Sequence, residues 1–245
     1  MELKHEMSPK CLLNLLSFLY WSTLYIWCCV RWPKHSPEWC SRLVTLLHGS
    51  VATVIGLSQC GITSLSERTL TMKIGTRHYA LMVWSWGYFA FDLLWCLIYW
   101  TNNKLMLCHH VSALVAITIY MQKEYTGCTF ACTLAMMEVT NPLLQARWFL
   151  RNGQREKSRV YFLIELCYLA LFITIRGILG SYVILKIIQS DLFDMDEKVI
   201  SIVFYIVSLG FIKDILEYIA HKYNTTIQEF GVYLDEISIL LNNQL

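Results

Sequence analysis

Apolar runs separated by short polar stretches occupy residues 11–30, 43–63, 79–100, 105–121, 127–150, 160–185 and 199–216. The first carries no charge, and a helix of about twenty residues rises roughly 30 Å, the thickness of a bilayer's hydrocarbon core. The runs are continuous rather than alternating, which favours spanning helices over the strands of a barrel. The pattern predicts an all-α fold, a polytopic transmembrane helix bundle of about six to seven spans. The last run is the weakest, because Lys213 and Asp214 fall near its end. Run 11–30 ends in bulky Trp27 and is followed by Arg31 and Trp32, so it reads as a retained helix rather than a cleaved signal.

Composition agrees with this pattern. Of 245 residues, 56% are hydrophobic and 16% charged, against about 25% charged in a soluble domain. Net charge is +2 with no dense basic patch, so nucleic acid is not an expected partner. Most of the 10 cysteines lie inside apolar runs and form no CxxC pair, which predicts small packed hydrophobes rather than disulfides or zinc ligands. Stretch 151–159, RNGQREKSR, is the most basic connection, and Lys/Arg-rich loops favour the cytoplasm. Seven spans then place the sequon Asn224-Thr225-Thr226 on that same side.

Polar and ionisable residues inside the runs carry the candidate chemistry, since keeping them at membrane depth is costly. His109 and His110 are adjacent, so on a helix they point about 100° apart and cannot both face one metal. One of them could serve as a general base, with the other packing or holding it in place. The plain alternative is a pair of histidines at the membrane–water boundary, a few residues inside Lys104. Glu138 falls near mid-bilayer, and Asn141, three residues on, shares its face. Pro142 disturbs the preceding turn and frees carbonyls that can line a cavity. The alternative for Glu138 is an inter-helix hydrogen bond.

Asp92 and Arg176 are opposite charges on different runs, and an ion pair between them is the economical expectation. Arg147 adjoins Trp148 and the basic loop, where snorkelling to lipid head groups is expected. His48, beside Gly49 and Ser50, suits a packed polar residue. No cofactor and no metal are expected. The break QKEYT, residues 122–126, should make the flanking helices antiparallel neighbours. His110 and Glu138 then sit about 17 and 18 Å from it, at nearly one depth, with His110 the expected direct partner of Glu138.

The HH pair followed on the next run by EVTNPLLQARWFLR resembles the TLC-domain family (translocating-chain-associating, Lag and CLN proteins). The resemblance divides the chain into 1–35, a leader and first helix; 36–222, the TLC domain; and 223–245, a tail. It implies a helix bundle around a lipid-accessible cavity, in the endoplasmic reticulum or a connected membrane. In the ceramide-synthase branch, paired histidines support transfer of an acyl chain from acyl-CoA to a sphingoid amine, and His109 and His110 match that pair. That branch carries HD-x-x-D on the next span, where this chain has MEVTNP. The resemblance therefore implies a protein that binds, senses or handles a lipid or acyl chain, with an acyltransferase as the alternative. Candidate catalytic residues are His109, His110 and Glu138; Asn141, Asp92 and Arg147 are candidate lipid contacts. The expected partners are membrane lipids, with a fatty acyl chain or acyl-CoA among them. A transporter is disfavoured because no internal repeat is visible.

Overall fold

The computed structural model describes residues 9–60, 73–99 and 103–224. The first residues of the leader, most of loop 64–78, part of the 101–104 hairpin and the tail beyond Asn224 lie outside these. Every described element is helical: α1 Pro9–Arg31, α2 Pro37–Gln59, α3 Thr76–Ile98, α4 Lys104–Tyr120, α5 Gly127–Glu138, α6 Asn141–Asn152, α7 Arg159–Phe172, α8 Gly180–Gln189 and α9 Met195–Lys222. A π-helical segment, Ile173–Leu179, joins α7 to α8 in one continuous rod. Helices α1, α2, α3, α9 and this rod are each long and apolar enough to cross a membrane, and α4 is a shorter apolar helix. The chain is a multi-pass membrane protein with the expected helical-bundle architecture.

Local chemistry sets the boundaries. Ser36 Oγ accepts from the Trp39 N–H at 3.2 Å and Pro37 opens α2, where its missing N–H costs nothing. Asn103 caps α4 through Met106 N, and Ser158 caps α7 through Tyr161 N. Run 127–150 is not one helix. It stops at Glu138 and restarts at Asn141, with Pro142 in the first turn of α6. Proline cannot donate the bond that continuity requires and clashes with the preceding turn.

Helix α2 lies antiparallel to the broken α5–α6 along its whole length. Cys60 meets Cys128 and Cys132, Gly56 meets Ala131 and Ala135, Gly49 meets Glu138 and Asn141, and Trp39 meets Phe149. Small residues permit the close approach: a Cβ at Gly56 would lie 2.9 Å from the Ala131 carbonyl oxygen. This packing displaces the expected pairing of α4 with α5, which touch only lightly, as where Tyr120 meets Phe130. Helix α4 packs instead against α3 and α9. Cys60 and Cys132 form a disulfide, contrary to the expectation that the cysteines only pack. Their sequence separation of 72 hides the pairing in sequence, and the α2–α5 contact creates it.

The two ends of the bundle are tied differently. At one end Lys123 bridges Asp194 at 2.7 Å and Asp196 at 2.9 Å. Desolvation alone would lower the Lys123 ammonium, but the two carboxylates outweigh it and hold its pKa above the ordinary lysine range. At the other end Lys222 of α9 binds Glu165 of α7, so Asn224 lies at the same end as loop 151–159. With that loop cytoplasmic, Asn224 stays unglycosylated. A glycosidase-sensitive mobility shift that Asn224→Gln abolishes would contradict this orientation.

Candidate functional site

A cavity of about 830 Å³ opens among α2, α3, α4, the α5–α6 break, α7 and α9. Its mouth is rimmed by Ser36, Glu38, Tyr99, Asn103 and Tyr218, at the end that holds loop 151–159. His109, His110, Asp92, Glu138, Asn141 and Arg147 all line it. The expected shared cavity for the histidine pair and the Glu138–Asn141 face therefore exists, and it also gathers Asp92 and Arg147. The partnerships inside it differ from those expected.

Glu138 does not meet His110. Its Oε2 accepts from Asn141 Nδ2 at 3.0 Å and lies 3.7 Å from His48 Nδ1, an ion-pair distance when the imidazole is protonated. Gly49 makes this possible: a Cβ there would come within 3.2 Å of Glu138 Oε2 and 3.1 Å of Asn141 Cβ. His48 is fully buried, stacked on Tyr88 at 3.8 Å between ring centroids, with Nε2 3.3 Å from Ser85 Oγ. From Asn141 the polar chain continues to the mouth. Gln145 Nε2 donates to Asn141 Oδ1 at 2.9 Å, and Arg42 Nη1 donates to Gln145 Oε1 at 3.2 Å.

Asp92 does not pair with Arg176. Its Oδ2 lies 3.2 Å from His110 Nε2 and 3.3 Å from the Tyr88 hydroxyl. The cause is the α3–α4 hairpin: Asp92 and His110 each stand six residues from the helix ends at that turn, Ile98 and Lys104. Equal depth across the short α3–α4 turn is the sequence signal for this pair. Cys96, one turn beyond Asp92, completes a buried trio whose ligand atoms lie within 4.8 Å of one another. An aspartate, a thiolate and an imidazole at that spacing are the donor types zinc accepts, so these are the residues that could hold a metal.

Arg147 does not snorkel. Its Nε donates to Glu165 Oε1 at 2.9 Å, and its guanidinium lies 4.8 Å from the Tyr218 ring centroid. Glu165, almost fully buried, also binds Lys222 and the hydroxyls of Tyr161, Tyr218 and Tyr223. The three tyrosines that surround it come from α7 and the end of α9.

A second, narrow and apolar cavity of about 100 Å³ runs toward the opposite end of the bundle between α4, α5, α8 and α9. Ala113, Ala116, Leu134 and Ile184 are among its walls. Phe89, His109, Met137 and Arg176 line both cavities and so form the boundary between them, here called the neck. His109 is framed there by Phe204 and Phe211, with ring centroids at 5.9 and 5.7 Å. Among the described residues its Nδ1, like that of His110, has no hydrogen-bond partner. The pair thus divides as its 100° separation requires: His110 turns to Asp92, and His109 turns to the neck.

The family profile described as the TLC domain matches residues 38–221. TLC domain-containing protein At5g14285 of Arabidopsis thaliana is 28% identical over 155 residues. That alignment covers 60% of this chain, which in turn spans 60% of the relative's length. No solved structure matches the chain.

Proposed function

The chain belongs to the TLC-domain family, and from that premise we propose that it binds a membrane lipid in its two-part cavity and so influences membrane lipid composition. One observation carries this reading: a roomy chamber that holds the ionisable side chains and a narrow apolar slot share one set of lining residues, Phe89, His109, Met137 and Arg176. Amphiphilic ligands fit such a division, with an acyl chain among the α4, α5, α8 and α9 side chains and the polar part beside the histidines. The endoplasmic reticulum or a connected membrane is the proposed site of action, in keeping with the family resemblance.

Filling the slot tests the proposal. Ala116 is buried in its wall, and Ala116→Phe places a ring where a chain would lie. Overpacking of this kind costs about 1–3 kcal/mol, which a stable bundle tolerates. The expected result is a folded protein from which lipid extraction and mass spectrometry recover far less co-purified lipid. Undiminished lipid in a protein whose slot is demonstrably filled would sink the proposal.

A second reading is favoured by the contact between Asp92 and His110. A carboxylate that orients an imidazole is the arrangement of a general base. His110 would take the proton of an amine or hydroxyl as that group attacks an acyl thioester carbonyl, and the thiol would leave. The chain of the acyl donor would lie in the slot beyond His109.

A further inference from the structure

Among the described residues, Arg176 is a half-buried cation with no carboxylate at salt-bridge distance, and Glu138 acts on it only through space. Glu138 is engaged by Asn141 and faces His48, Asp92 faces His110, and Glu165 is held by Arg147 and Lys222. Among the described residues, Arg176 donates only from Nη2 to the Met137 carbonyl at 2.8 Å, and its buried Nε has no partner. Phe172 and Phe211 flank it, with the guanidinium carbon 4.6 and 5.9 Å from their centroids. Aromatic faces and one carbonyl stabilise a guanidinium but leave its buried Nε edge without an acceptor, and an unmet buried donor is costly.

The backbone around Arg176 is also unusual. It sits at the centre of the π-helical segment Ile173–Leu179. A π turn inserts an extra residue per turn at a cost in hydrogen-bond geometry, and such turns recur at functional sites. Here the segment carries Arg176 to the neck, where the side chain touches the polar chamber and the apolar slot at once. An amphiphile with its chain in the slot brings its first polar group to that point.

We propose that the lipid bound in this cavity is anionic at the root of its acyl chain, and that Arg176 receives the anionic group, a carboxylate or a phosphate. This rests on the lipid-binding proposal above and narrows it to a ligand class. Guanidinium pairs with either oxyanion through parallel hydrogen bonds, and the free Nε edge supplies one of the two donors needed. The ligand would supply the charged acceptor that the Nε edge lacks, which a neutral lipid of the same length supplies only weakly.

Binding to the full-length protein in neutral detergent tests this with two matched pairs: palmitate against hexadecanol, and lysophosphatidate against monopalmitoylglycerol. Charge-assisted hydrogen bonds of this kind should make the anionic member of at least one pair bind about tenfold more tightly. The pair with the larger ratio identifies the anion as carboxylate or phosphate. Arg176→Gln should erase the ratio and Arg176→Lys should keep part of it. Equal binding within both pairs on the wild-type protein overturns the anionic class while leaving lipid binding intact. So does a ratio that Arg176→Gln does not change. If no member of either pair binds, the lipid proposal falls with it. Because the wild-type ratio needs no variant, a misfolded Arg176→Gln does not blunt the test.

Discussion

Glu165→Ala should strongly destabilise the protein. Glu165 is almost fully buried and joins Arg147 of α6, Lys222 of α9 and the hydroxyls of Tyr161, Tyr218 and Tyr223. Alanine leaves the largely buried Arg147 guanidinium without its carboxylate. Removing one partner of a buried pair costs about 3–5 kcal/mol, most of it for the stranded charge. A typical domain has a margin of about 5–15 kcal/mol, so the loss is a large share of it. The damage should centre where α6, α7 and α9 meet. Glu165→Gln should be milder in its packing effect, because the amide oxygen still accepts from tyrosine, but it neutralises neither cation. Thermal melting in detergent, read as the monodisperse fraction after heating, measures both variants. A wild-type melting curve for Glu165→Ala would show that this carboxylate contributes nothing to holding those helices together.

The second large effect concerns His110. If the bundle catalyses acyl transfer, His110→Gln should lower the rate by about 10²–10⁴-fold, the range for loss of a general base. Asp92→Asn should lower it less, because the ring remains but loses the carboxylate that orients it and would stabilise its protonated form. The readout is the lipid composition of cells lacking the protein, rescued by wild type or variant at matched expression. Full rescue by the His109→Ala/His110→Ala double variant would exclude both a catalytic and a binding role for the pair. Normal lipid co-purification with His110→Gln, joined to failed rescue, would favour chemistry over simple binding.

Depth was legible in the sequence, and azimuth was not. The apolar runs located each pass, Pro142 located the break, and counting from QKEYT brought His110 and Glu138 into one cavity. Which face met which helix depended on packing. Gly49, Ala52 and Gly56 form a small-residue stripe that draws α2 onto α5, and this gave Glu138 to His48 rather than to His110. Asp92 and Arg176 had opposite charge but no shared helix contact to join them. Arg147 looked exposed because its aromatic and acidic partners come from residues 161–165 and 218, on other helices. The π turn that frees Arg176 had no sequence signal beyond the neighbouring Gly177 and Gly180.

The disulfide bears on the orientation of the bundle. Cys60 and Cys132 lie at the end of α2 remote from Trp39 and Phe149, and so opposite loop 151–159. Glutathione and thioredoxin keep thiols reduced in the cytosol, whereas such bonds persist in the secretory lumen or outside the cell. An oxidised bridge at that end and a Lys/Arg-rich loop at the other therefore assign the two faces in the same sense, from residues that share nothing in sequence. With loop 151–159 cytoplasmic, the chamber end lined by Glu38, Asn103 and Tyr218 faces the reducing side. Under the proposed lipid binding and orientation, a water-soluble co-reactant or carrier would reach the site from the cytosolic side.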